Sequence, residues 1–252
     1  MLLNLQSLPY ELNPEIRSRA AIGLLTLATD QVIEHEFRLL LNLPGVATYG
    51  ARLANEATIT PETLRAMRDK LADCANVILP GMSLDVIGYG CTSGSLYIGE
   101  DEVKRCIRSV RPEAKTTNPV TAALAAFAAL NTRSFALLTP YRDEINQELR
   151  NFFESKGFAV PVMGSFNEED DNKVGQMTPE CIGQAVLKLG KHEAVDAVFV
   201  SCTNLRIAAE VQRLEVALGK PITSSNHALA WHCLRLAGVN DALPQFGQLY
   251  TV

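Results

Sequence analysis

One strand-like segment of this chain occurs twice, and each copy ends in Cys-Thr. Leu84-Asp85-Val86-Ile87 leads into Gly88-Tyr89-Gly90-Cys91-Thr92-Ser93-Gly94-Ser95, and Val195-Asp196-Ala197-Val198 leads into Ser201-Cys202-Thr203-Asn204. In both copies an aspartate stands six residues before the cysteine, and the two cysteines are 111 residues apart (202 − 91). Three weaker echoes keep the same order. Arg19 to Thr26 resembles Arg133 to Thr139, Thr60-Pro61-Glu62 matches Thr178-Pro179-Glu180, and Thr116-Thr117-Asn118 matches Thr223-Ser224-Ser225-Asn226. Features recurring in one order at similar offsets are the mark of an internal duplication. Two half-domains are therefore expected to face each other, each giving one cysteine to a shared cleft.

A chain of 252 residues has room for one large domain or two small ones. Its segments alternate between short apolar runs and amphipathic stretches. Ala20 to Leu27 and Val46 to Leu53 fit strands, as does Met82 to Tyr89, which delivers Cys91. Val32, Ile33, Glu36, Phe37, Leu40 and Leu41 fall on one helical face. Thr60 with Pro61 reads as a helix start, and helices are expected over Glu100–Val110 and Pro119–Leu130. Residues 1–18, broken by Pro9 and Pro14, read as an irregular lead-in. Strands alternating with helices build parallel sheets from βαβ units. The expected fold is α/β, with two pseudo-symmetric flavodoxin-like parallel-sheet halves and the active-site cleft between them. The halves are placed at residues 1–118 and 119–225, with a C-terminal helix within 226–252 completing the first.

Composition removes several alternatives. Net charge is −5 and no Lys/Arg cluster appears, which argues against a nucleic-acid partner. The N-terminus lacks a basic region and a sustained apolar core, so no signal peptide is expected. The longest apolar run, around Val120 to Leu130, is too short to span a bilayer. The six cysteines include no C-x-x-C pair, and reduced thiols in a cytoplasmic protein are the expectation. His35, His192, His227 and His232 make no metal-ligand spacing with cysteines or carboxylates. A small-molecule partner and, at most, self-association are left.

Ligands of open parallel sheets bind beyond the carboxyl ends of the strands. Cys91, Cys202, Asp30 and Tyr141 all follow predicted strands directly. Thr92 and Ser93 behind Cys91, and Thr203 and Asn204 behind Cys202, are residues whose backbone N–H groups can form an anion nest. Oriented N–H groups also lower a thiol pKa, which suits a nucleophile or base. Two thiols on opposite sides of a small acid fit two reactions. One takes a proton from one face of a carbon acid and returns it on the other. The second adds a thiolate to a double bond, rotates the C–C bond and eliminates. The residues alone leave both open.

At these positions the chain resembles the aspartate/glutamate racemase superfamily, in the branch of maleate cis-trans isomerase and arylmalonate decarboxylase. The likeness is greatest to ectoine-utilisation proteins of that branch. It is carried by Thr26-Leu27-Ala28-Thr29-Asp30-Gln31, Gly88 to Gly94, Leu138-Thr139-Pro140-Tyr141, Val200 to Arg206 and Ser225 to Trp231, and runs from about Arg19 to Gly238. The resemblance implies cofactor-independent chemistry on a small carboxylic acid, with Cys91 as nucleophile and Cys202 as acid/base. It further implies substrate contacts by Tyr141 and by Asn172. Asp30 stands where maleate isomerases carry an asparagine, and an ionised Asp30 would repel a substrate carboxylate. That favours an amino or hydroxy acid. A decarboxylase and a non-catalytic acid-binding protein are the alternatives.

Plainer roles are expected elsewhere. Cys74, Cys106, Cys181 and Cys233 read as core thiols. Asp30 also suits a helix cap. His227, Trp231 and His232 suit packing, and Glu168 to Asp171 reads as a solvated acidic loop.

Overall fold

Ala20–Leu27 has the fewest structural options, being apolar on successive residues, and all eight of its side chains are buried. In the computed structural model, which describes residues 3–252, this strand (β1) pairs in parallel with Val46–Leu53 (β2) and Val86–Gly90 (β3). Lys115–Thr117 (β4) completes a sheet of order β2-β1-β3-β4. Ser134–Thr139 (β5), Ala159–Ser165 (β6), Ala197–Val200 (β7) and Ile222–Ser224 (β8) repeat the arrangement as β6-β5-β7-β8, again parallel throughout. Two copies of one strand order, in sequence register, are the duplication made visible. Met1 and Leu2 of the lead-in lie outside the described residues, and the rest of it is irregular apart from a 3-10 turn at Glu15–Arg17.

The connecting helices of the first half are Ile33–Leu40 (α1), Pro61–Ala66 (α2), Leu71–Asn76 (α3), Thr92–Ile98 (α4) and Glu100–Arg108 (α5). Pro119–Ala129 (α6) links the halves. Asp143–Ser155 (α7), Asp171–Val174 (α8), Pro179–Gly190 (α9), Val211–Leu218 (α10) and Ser225–Leu236 (α11) follow. The repeated Thr-Pro-Glu is a repeated cap. Thr60 accepts from the Thr63 N–H at 3.3 Å and Thr178 from the Cys181 N–H at 3.3 Å, each with proline at a position that needs no donor. Among the described residues, no helix is long and apolar enough to cross a membrane.

The aspartate repeated before each cysteine has a structural use. Asp85 Oδ2 accepts from the Ala21 N–H at 2.8 Å, and Asp196 accepts from the N–H groups of Arg133 and Ser134 at 3.0–3.2 Å. Each carboxylate thus pins the start of the neighbouring central strand, β1 or β5, and fixes register where the strand enters the sheet.

The strand expected from Met82 begins only at Val86. Arg111, 6% exposed, explains the difference. Its guanidinium takes the carbonyls of Ala75, Asn76, Ile78 and Met82, so this stretch curls around a buried cation instead of joining the ladder.

The last helix of each half lies on the sheet of the other. α6 follows β4, yet Phe127 stacks on Phe135 of β5 at 4.5 Å and meets Phe199 of β7 edge-on at 5.6 Å. α11 follows β8, yet Leu229, Cys233 and Leu234 share a core with Ile22, Leu24 and Val86 of the first sheet and Phe37 of α1. The two exchanged helices also pack on each other.

Candidate active site

Cys91 leaves β3 with extended backbone and becomes the N-cap of α4, where its Sγ accepts the Gly94 N–H at 3.2 Å. Small residues follow because the turn is crowded: Thr92, Ser93, Gly94 and Ser95 are all buried. In the second half the symmetry breaks. No helix follows Cys202; the chain turns through Thr203-Asn204-Leu205, and Cys202 Sγ accepts the Asn204 N–H at 3.4 Å. A different device holds this loop. Glu36 of α1, buried, accepts from Ile207 and Ala208 N–H at 2.7 Å each, while Asn226 Nδ2 donates to Glu36 at 2.8 Å and to the Thr203 carbonyl at 2.7 Å. Burial lifts the Glu36 pKa to about 7, even against three donors.

Both thiols line one narrow cleft. Thr92, Ser93, Tyr141 and Thr203 line it too. Leu27, Ile59, Leu64 and Met67 form its apolar wall. Tyr141 is 2% exposed, and its backbone is clamped: its N–H donates to Thr139, and its carbonyl accepts from Asn146 at 2.8 Å and from the Ser165 hydroxyl. The N–H groups of Thr92, Ser93 and Thr203 have no acceptor among the described residues, and so remain free to bind an anion. No Lys, Arg or His lines the cleft among the described residues.

Three expected residues sit elsewhere. Asp30 lies behind the cleft wall, where its Oδ1 accepts the Val32 and Ile33 N–H groups at 2.8 Å each, so it caps α1; burial raises its pKa to about 7. Asn204 is a cross-tie: its Oδ1 takes the Gln31 N–H at 2.9 Å and its Nδ2 gives to the Asp171 carbonyl at 2.8 Å. Asn172 is exposed on α8, and its neighbour Asp171 lines the cleft instead.

Asp171 overturns the reading of Glu168 to Asp171 as solvated. It is 6% exposed, and its Oδ2 accepts the Thr29 hydroxyl. Residues 169–171 are sewn to the first half. Thr58 bridges Asp170, Ile59 N–H donates to the Glu169 carbonyl, and Asp171 N–H donates to the Ala57 carbonyl, both at 3.1 Å. Asn55, Glu56, Thr58, Ile59 and Asp171 escape a reading of the sequence because contacts between distant segments bring them to the cleft. Their one sequence signal was that Asp171 follows the β6 strand end.

The expected low thiol pKa is also corrected. Burial pushes Cys91 up to about 12 and Cys202 well above the ordinary thiol value, outweighing the N–H donors, and the Asp171 charge adds to both. Among the other cysteines, Cys74, Cys106 and Cys233 are buried, but Cys181 is exposed on the first turn of α9. All six are free thiols. His227 and His232 are packing residues, hydrogen-bonded to Thr223 and Thr117 and held near pKa 4 by burial.

Two equivalent α/β halves with a thiol from each at the seam define a class of two-half α/β proteins. Within it, the chain belongs to the arylmalonate decarboxylase family, whose model matches residues 42–250. A maleate isomerase of Alcaligenes faecalis is 24% identical over 76% of this chain and 78% of its own. The arylmalonate decarboxylase of Bordetella bronchiseptica is 27% identical over 84% and 88%. Among solved structures, a cysteine-to-serine mutant of Nocardia farcinica maleate cis-trans isomerase, with a covalently bound succinylcysteine intermediate, superposes with TM-score 0.82 at 24% identity, covering 92% of this chain and 98% of that one.

Proposed function

We propose that this protein is a cofactor-independent isomerase, acting as a racemase, epimerase or cis-trans isomerase, of a small carboxylic acid, with Cys91 and Cys202 as its catalytic pair. The observation that carries this reading is that two thiols, delivered by equivalent strands of opposite halves, line one buried cleft. The substrate carboxylate is taken by the N–H groups of Thr92, Ser93 and Thr203, which neutralise it without a cation. The Ser93 hydroxyl lies beside Cys91 and the Tyr141 hydroxyl beside Cys202. For racemisation, one cysteine as thiolate removes the α-proton while the other, as thiol, delivers a proton to the opposite face. The pair ends with its protonation reversed, ready for the reverse enantiomer. For cis-trans isomerisation, Cys91 thiolate adds to the double bond and Cys202 protonates the neighbouring carbon. The single bond then rotates, and the C–S bond breaks as the proton returns. The covalent succinylcysteine of the Nocardia relative supports this second route. Six free thiols suit a reducing, cytoplasmic setting.

The test is proton NMR in D2O with the full chain, Cys91→Ser and Cys202→Ser. The panel holds maleate, aspartate, hydroxyaspartate and the diamino acids of ectoine breakdown, the last because the sequence motifs lean that way. Loss of an α-proton signal in one acid, abolished in both variants, supports racemisation; growth of fumarate supports geometric isomerisation. Turnover that survives both substitutions would defeat the two-cysteine reading. Carbon dioxide release from a malonate would favour decarboxylation, the activity that names the Bordetella relative.

A further inference from the structure

Asp171 is a buried acid in the cleft that the chemistry above does not use. It comes from α8 of the second half, and it lines the same cleft as the two thiols. One carboxylate oxygen is occupied by the Thr29 hydroxyl, and Asn55 Nδ2 holds that hydroxyl in turn at 2.9 Å. Asp171 is therefore fixed in place, because Thr29 and the Ala57–Asp171 backbone bond position it from the first half. Among the described residues, the only other charged side chain on the cleft lining is Glu56, at the exposed mouth. Asp30, just behind, adds a third acid. A cleft with acids and no cation accommodates one substrate carboxylate, at the Thr92, Ser93 and Thr203 N–H groups. Burial raises the Asp171 pKa, but the Thr29 hydroxyl, which accepts from Asn55, donates to it and favours its ionised form, so a second carboxylate set against Asp171 would face a like charge at low dielectric.

We infer that Asp171 sets the substrate class: the acid it admits carries an ammonium or hydroxyl donor, not a second carboxylate, at the end opposite the N–H cradle. This rests on the proposed function for where the carboxylate sits, and it deepens that reading by choosing amino or hydroxy acids over maleate-like dicarboxylates. The role is one of specificity. Asp171 receives a hydrogen bond or ion pair from the substrate and takes no part in proton transfer at carbon.

Calorimetric titration of the full chain compares ligands matched in length, succinate against γ-hydroxybutyrate and γ-aminobutyrate. A charge-assisted hydrogen bond predicts that the hydroxy or amino acid binds about tenfold or more tightly than succinate. In Asp171→Asn, which keeps an acceptor for Thr29, that preference should vanish or invert; Asp171→Ser, with folding checked by circular dichroism, is the second variant. Tighter binding of succinate by the full chain overturns the inference, as does an unchanged preference in both variants or no binding of any of the three. Deuterium exchange that ignores Cys91 and Cys202 would defeat the proposed chemistry while leaving these affinities, and the role of Asp171, standing.

Discussion

The Cys91 thiol accepts the Gly94 N–H at 3.2 Å, and it reaches that donor because position 94 has no side chain. A Cβ there would lie 2.8 Å from Cys91 Sγ, 2.6 Å from Tyr89 Oη and 2.8 Å from Met67 Cε. All three neighbours are packed, so the sulfur must move. Gly94→Ala should lower kcat/KM by about a hundredfold, the scale of an ångström misplacement at a reacting atom. Overpacking should cost about 1–3 kcal/mol of stability. Steady-state kinetics with urea unfolding separates the two; full kcat/KM in a folded variant would show that the placement of Cys91 is unimportant.

Burial raises both thiols, so a thiolate is scarce at neutral pH and grows tenfold with each unit below the raised pKa. The logarithm of kcat/KM, which reports the free enzyme, should climb with slope near one between about pH 7 and pH 9. A plateau starting below pH 8 would contradict this. Because Asp171 pushes both thiols up, Asp171→Asn should move the profile toward lower pH.

Asn204 satisfies the Gln31 N–H and the Asp171 carbonyl together, one from each half. Asn204→Ala leaves the Gln31 N–H without its acceptor and the Asp171 carbonyl with the Gly175 N–H alone, and about 1–3 kcal/mol of stability should go in total. Chemical denaturation measures the loss. A loss of only a few tenths of a kcal/mol would mean that water or a neighbour replaces the amide.

Asp196 and Asp85 pin strand starts at the rim of each sheet, far along the strand from the thiols. Asp196→Ala should cost about 0.5–2 kcal/mol, as the loss of a helix cap does, and leave kcat/KM within about twofold. Unfolding midpoints and rates on the same preparation check both halves of the statement.

The parts of the molecule written in local periodicity were legible before any coordinates. β1 and β2 begin and end where the apolar runs do, and α1 buries Ile33, Glu36, Phe37 and Leu40 on the face expected of it. Cys91, Cys202 and Tyr141 share one cleft because each ends a parallel strand, a rule that needs no contact information. What stayed hidden depends on contacts between distant segments. Asn172 and Asp171 are adjacent, yet only one lines the cleft, and the choice is made by the Thr58–Asp170 bridge. The raised thiols follow from burial, which motif geometry alone does not reveal. The Met82 region looked like strand because nothing in it announces the grip of Arg111.

The exchange of α6 and α11 has a mechanical meaning. Spreading the halves would strip a core helix from a sheet, since Phe127 is anchored among the aromatics of the second half while Leu229 and Leu234 are anchored in the first. The backbone between Cys91 and Cys202 is thus a clasped seam, held from both sides by exchanged helices. Substrate must enter past side chains and short loops at the Glu56 rim, and the spacing of the two sulfurs is set by the fold before any acid arrives.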